Sequence, residues 1–82
     1  MKEIFVKKYW DEEKILFYLH FIDGEAVRQI EVTQNNKVFL TIETPIMGDS
    51  MLYDQSLEGL ELEEEDFITK LEFEKIWEEN KL

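Results

Sequence analysis

The chain has 82 residues, 20 acidic against 9 basic for a net charge of −11, and no cysteine. A chain of this size builds one modest core, burying about 60–65% of the surface its unfolded form exposes. The charge argues against sequence-independent binding to a phosphate backbone, and the absent cysteine excludes a disulfide framework or thiolate metal site.

Disorder is not expected, because hydrophobic residues make up 44% and aromatics 13% of the chain. The opening MKEIFVKKYW has no apolar run suited to a signal peptide. No stretch approaches the ~20 apolar residues of a membrane span. The expectation is a soluble, cytoplasmic, single domain over residues 1–82, with no membrane or nucleic-acid partner. The charge is uneven: residues 1–53 carry 9 acidic and 6 basic side chains, and residues 54–82 carry 11 and 3. Such a surface serves solubility and could also attract a basic partner.

Four strand-like runs come first: 3–10, 15–22, 26–33 and 37–44. Short polar turns between them predict an antiparallel meander. A four-residue loop, Asp11 to Lys14, pairs Trp10 with Ile15 and puts Ile4 and Val6 on the core face. A different loop puts Phe5 and Tyr9 there instead. Asp23-Gly24 is a strong type I′ hairpin signal. It pairs Phe21 with Ala26, Leu19 with Arg28, and Phe17 with Ile30. One face then collects Ile15, Phe17, Leu19, Phe21, Ala26, Ile30 and Val32, with Arg28 among them. A three-residue loop, Gln34 to Asn36, aligns the apolar columns of the last pair. It sets Val32 opposite Val38, Ile30 opposite Leu40 and Arg28 opposite Ile42, and it asks Asn36 to be left-handed.

Residues 45–68 read as an irregular connection. Met51 to Tyr53 is a candidate short fifth strand, and Leu52, Leu57, Leu60 and Leu62 are candidate anchors. A helix follows over about 70–80. Thr69 and Glu72 form a capping box, and Ile68 and Phe73 are spaced for a hydrophobic staple. Phe73, Ile76 and Trp77 make its apolar stripe, and Lys81 suits its C-terminal end. The stripe is expected to dock on the Leu19/Phe21 face. The result is an α+β domain: four to five antiparallel strands with one C-terminal helix packed on one face.

The opposite face would carry Tyr18, His20, Val27 and Phe39, apolar for a solvent-facing side. Either residues 45–66 fold back over it, or it is an interaction face for a partner or a homodimer. Arg28, the single arginine, is expected at the core border with its stem packed. Its fork should meet a carboxylate or carbonyls from residues 61–74 as a structural ion pair.

Motifs for chemistry are missing. The single His20 lies mid-strand with no serine motif, and consecutive acids such as EEED lack the calcium-loop spacing. No catalytic residue, metal ligand or cofactor site is assigned, and an enzyme is not expected. Three stretches carry a resemblance: VRQIEV after Y-x-x-F-I-D-G, LYDQSLEGLEL, and FITKLEFEKIW. In this order they resemble a family of small uncharacterised bacterial proteins classed as a domain of unknown function. Its pattern is a V-R-(K/Q)-(I/V)-E strand and an I-(S/T)-x-x-E-F-E-x-(I/V)-W helix. Asn36 stands where that family has glycine. The resemblance implies no established activity. The expected function is a small acidic, non-catalytic protein-interaction domain. The alternatives are an immunity-type protein that neutralises a basic toxin or nuclease, and a small-ligand binder using Arg28 with His20.

Overall fold

Runs of β-branched and aromatic residues become strands because their side chains pack on a pleated surface. In order they are β1 (Glu3–Trp10), β2 (Ile15–Ile22), β3 (Glu25–Val32) and β4 (Lys37–Thr41). Next come a small separate hairpin, β5 (Ile46–Met47) with β6 (Ser50–Met51), then β7 (Phe67–Ile68) and the helix α1 (Lys70–Trp77). The structure, a computed structural model, describes residues 1–81 and side chains through Glu79. The Lys81 side chain, expected against the helix C-terminus, therefore lies outside the described residues. The main sheet is antiparallel in the order β4-β3-β2-β1-β7. The fold is therefore α+β, a meander sheet with one C-terminal helix.

The first two turns set register as their sequences require. Trp10 pairs with Ile15 across a four-residue loop, and Val6 meets Leu19. Asp23 (φ 50°) and Gly24 (φ 88°) both take positive φ, the type I′ condition. A Cβ on Gly24 would meet nothing within 4 Å, so backbone conformation, not space, calls for glycine here.

The register then departs from the simple hairpin. Phe21 pairs with Ala26, but His20 pairs with Arg28, so Val27 is an extra residue on β3. This β-bulge flips the face of every residue after it. Arg28, Ile30 and Val32 join His20 and Tyr18, while Gln29 and Glu31 join Leu19 and Phe17. The expected pairs Leu19–Arg28 and Phe17–Ile30 do not form. The β3–β4 loop is also longer than expected. Val32 pairs with Lys37 and Ile30 with Phe39, leaving a loop of Thr33 to Asn36. Thr33 closes it, its N–H and hydroxyl both donating to the Asn36 carbonyl. Asn36 is not left-handed, since only Lys14 and Asp23 among non-glycine residues have positive φ among the described residues. Ile42, no longer paired with Arg28, is exposed.

Each sheet face carries its own hydrophobic layer. On one face Val6, Leu19, Phe21, Ala26 and Leu40 pack under Leu52, with Tyr53, Leu57, Leu60 and Leu62 around them. Those covering residues all belong to the 45–66 connection, which is tied to the turn by Leu57 N–H donating to the Gly24 carbonyl (2.9 Å). On the other face Phe5, Ile30 and Phe73 form the centre, flanked by Tyr18, Phe39, Ile68, Ile76 and Trp77. The helix thus covers the His20 face, and the connection covers the Leu19/Phe21 face, the reverse of the expected arrangement. The reason is the bulge, which moves Ile30 and Val32 beneath the helix.

The fifth strand of the main sheet is Phe67–Ile68 beside β1, inside the stretch read as irregular. Ser50–Met51 pairs only with Ile46–Met47. One half of the expected capping box forms, Thr69 Oγ1 accepting from the Glu72 N–H at 3.1 Å, while the Glu72 carboxylate turns to Lys7 at 3.8 Å instead of closing the box. The α-helix ends at Trp77 and tightens into a 3-10 turn over Glu78–Lys81.

Candidate functional site

Two polar clusters interrupt the apolar layers. The first crosses the sheet beneath the helix. Glu3 on β1, His20 on β2, Arg28 on β3 and Glu74 on α1 form a chain. His20 Nε2 lies 2.8 Å from Glu3 Oε2, and Arg28 Nε donates to His20 Nδ1 at 3.0 Å. Arg28 then forks onto Glu74, its two terminal nitrogens meeting Oε1 at 3.1 Å and Oε2 at 2.6 Å. Its guanidinium also lies over the rings of Phe73 and Trp77, at 4.8 and 4.9 Å.

The protonation state follows from donor logic. A guanidinium can only donate, so His20 Nδ1 must accept. The ring is then neutral, with its proton on Nε2 directed at Glu3. His20 is 4% exposed and stacked on Phe5 at 4.3 Å. Burial holds its pKa below the usual value, and the nearby Arg28 charge acts the same way, against the Glu3 hydrogen bond. The Arg28 hydrogen bonds hold the Glu74 carboxyl below its ordinary range.

This chain ties three strands to the helix. Both ring nitrogens of His20 are engaged, and so are Nε and both terminal nitrogens of Arg28, which leaves the cluster committed to the fold. The interaction face expected around Tyr18, His20, Val27 and Phe39 is likewise closed. Tyr18 and Phe39 pack in the helix layer, His20 is buried, and Val27 occupies the bulge. A homodimer through that face would have to displace α1.

The second cluster lies on the opposite face. After the bulge, Gln29 and Glu31 point into the layer beneath the connection, and both are buried. Gln29 Oε1 accepts from the Tyr53 N–H (2.7 Å), which turns the amide nitrogen toward Glu31 Oε2 (2.7 Å) and the Met51 carbonyl (3.1 Å). Ser50 donates to Glu31 Oε1 at 2.9 Å. No buried side-chain polar atom is left unpartnered among the described residues.

Beside this cluster the connection stops short. It covers the Val6, Phe21 and Leu40 end of the face but not the end nearest the β1–β2 loop. A groove of about 860 Å³ opens there. Trp10, Ile15, Phe17, Leu19, Met51 and Leu60 supply apolar walls, and Gln29 and Glu31 line it as well. Trp10 and Met51 are about half exposed, at 48% and 56%. Glu13, Asp49, Asp54 and Glu61 add acidic groups to the lining, against the single Lys8. Lys8 is itself engaged, 3.2 Å from Asp66. The arrangement can hold an elongated apolar group and favours a positive charge beside it.

No family model, curated protein or solved structure matches the chain. The resemblance to the uncharacterised bacterial family rests on its quoted motifs alone.

The groove residues carry no sequence signal of a site. Gln29 and Glu31 alternate with Ile30 and Val32 as any half-exposed strand would. Only the bulge places them inside, and Val27 is an unremarkable residue to read as one. Among the described residues no group of three or more His, Cys, Asp or Glu could hold a metal ion. No described helix is long and apolar enough to cross a membrane.

Proposed function

We propose that this protein is a small acidic, non-catalytic binding domain that engages a basic protein partner through the groove between the β1–β2 end of the sheet and the 49–61 connection. One observation carries the reading: a groove of about 860 Å³ combines apolar walls with an acidic lining. Apolar area supplies affinity and the charge selects and steers the partner. The commitment of Arg28 and His20 to the fold favours the groove over a small-ligand site built on those two residues. A basic toxin or nuclease, neutralised by an immunity-type protein, is one partner of this chemistry.

A photo-crosslinking residue at Trp10, compared with one at the exposed Glu43, tests the reading in cells of the native host. A basic protein captured at position 10, and lost when Glu61→Lys reverses the charge of the lining, is the expected outcome. Equal capture at both positions, or capture indifferent to Glu61→Lys, would overturn it.

A further inference from the structure

Glu31 differs from the other acids that pair in this fold. It is 7% exposed, lines the groove, and has no lysine, arginine or histidine within ion-pair distance among the described residues. Its hydrogen bonds come from neutral donors, one to each oxygen: the Gln29 amide on Oε2 and the Ser50 hydroxyl on Oε1. An ionised carboxylate has about four acceptor sites, so each oxygen keeps capacity for a further donor. Both oxygens can therefore accept from a cation that enters the groove.

The groove around Glu31 suits one kind of cation. Trp10 and Phe17 lie 5.9 Å apart, ring to ring, and both line it. Aromatic faces and the apolar Leu19 and Leu60 match a long aliphatic stem and a weakly hydrated, planar charge. A fork that donates to both oxygens of a carboxylate is the particular geometry of guanidinium. Lys8, the one cation in the lining, is occupied by Asp66. A second copy of this chain is disfavoured as occupant, since each carries a net charge of −11.

We infer that the groove takes an arginine side chain of the basic partner, its stem along Trp10 and Phe17 and its guanidinium on Glu31. This rests on the groove being the binding surface. Glu31 is then the specificity residue, and Gln29 positions it: the Tyr53 N–H fixes the amide, and the amide fixes the carboxylate. The other acids, Glu13, Asp49, Asp54 and Glu61, contribute long-range attraction that salt screens.

The test is a two-dimensional amide NMR titration of the full chain with a short peptide of alternating arginine and leucine. A second peptide carries citrulline, the uncharged isostere, in place of arginine. Shifts concentrated at Phe17, Leu19, Gln29, Glu31 and Met51 are expected for the arginine peptide, with affinity roughly tenfold or more above the citrulline peptide. Glu31→Gln keeps a hydrogen-bonding side chain of the same size and should reduce that difference to the salt-screened part supplied by the other acids, while groove shifts persist. Asp49→Asn should instead weaken both the affinity and its salt dependence modestly. Groove shifts that are equal for the two peptides, or a preference that Glu31→Gln leaves undiminished at high salt, would overturn the arginine assignment and leave the groove as a binding surface. Shifts confined to other parts of the protein would overturn both.

Discussion

Arg28 donates from Nε to His20 Nδ1 at 3.0 Å, and this contact fixes the histidine as a neutral ring inside a charged chain. It brings together two residues that a regular hairpin would place on opposite faces. Both belong to the same tie between β1, β2, β3 and α1, so disturbing either one should loosen the helix from the sheet.

Replacing Arg28 tests that tie. Arg28→Ala removes the fork to Glu74, the donor to His20 and the packing on Phe73 and Trp77. A loss of about 2–4 kcal/mol is expected, toward the lower end because Glu74 is partly exposed and can turn to water. Arg28→Met keeps the packed stem and should lose roughly half as much. Urea unfolding midpoints measure both. Two variants as stable as the parent would show that the chain of contacts contributes nothing.

Acid should weaken the same tie from the histidine side. His20 faces Glu3, Arg28 and Glu74 across the layer, and a second proton would put an N–H on Nδ1 against the N–H of Arg28. Its pKa is held below the ordinary 6.5, so below that pH the unfolded chain binds the proton more readily than the folded one. Stability is full above pH 6.5 and falls as the pH drops through the depressed folded value. The depressed Glu74 and Asp66 carboxyls add losses of the same sign below about 4.5 and 3.8. The Asp66 shift comes mainly from the Glu63 backbone N–H, then from Lys8. Unfolding midpoints followed across pH should therefore begin to decline near 6.5, and His20→Gln should flatten that first part of the curve. A parent curve that stays level down to pH 4.5 would contradict the neutral-ring assignment.

The helix layer depends on one ring and one cap. Phe73 is fully buried between Phe5, His20 and Trp77. Phe73→Ala should cost about 3–5 kcal/mol, a large part of the stability of so small a domain. Thr69→Ala removes the acceptor for the Glu72 N–H and should cost about 1 kcal/mol. Thermal melts of the two variants should therefore separate widely, with Thr69→Ala close to the parent.

Much of the fold follows from local chemistry in the sequence. Asp23-Gly24 dictates its turn, Thr69 dictates the helix start, and the first hairpin has the register its loop length allows. The order of layers does not follow, because both faces of the sheet are apolar and alternation cannot say which cover lies on which. Ile30 and Leu40 look like one column in the sequence and belong to different layers in the fold. The short strand Phe67–Ile68 is hidden for another reason: two residues carry no period, and only their pairing with Phe5 and Val6 makes them a strand. The acidity of residues 61–74 points the Arg28 fork to a carboxylate or carbonyls there, and Glu74 supplies the carboxylate. Glu31 was illegible, because nothing local tells an inward acid from an outward one.

Val27 should tolerate both replacement and removal, because it is the one residue of β3 without a partner across the strand pair. Val27→Ala keeps the extra residue and should cost about 1 kcal/mol. Deleting Val27 removes the bulge but leaves Phe21 opposite Ala26 and His20 opposite Arg28, so Arg28 and Ile30 keep their layers. Circular dichroism and amide NMR dispersion should show both variants folded, with His20 still beside Arg28 in the deletion variant. A deletion variant that folds but loses the Arg28–His20 contact would contradict the register described above.

That single added residue has a thermodynamic consequence. Before it, β3 contributes Ala26 to one interior; beyond it, the same strand contributes Ile30 to the other, while Gln29 and Glu31 remain with the first. Neither interior can melt alone, because the strand that seals one is the strand that seals the other. The molecule is therefore welded into one cooperative unit, and loosening the helix is felt at the floor of the groove on the far side.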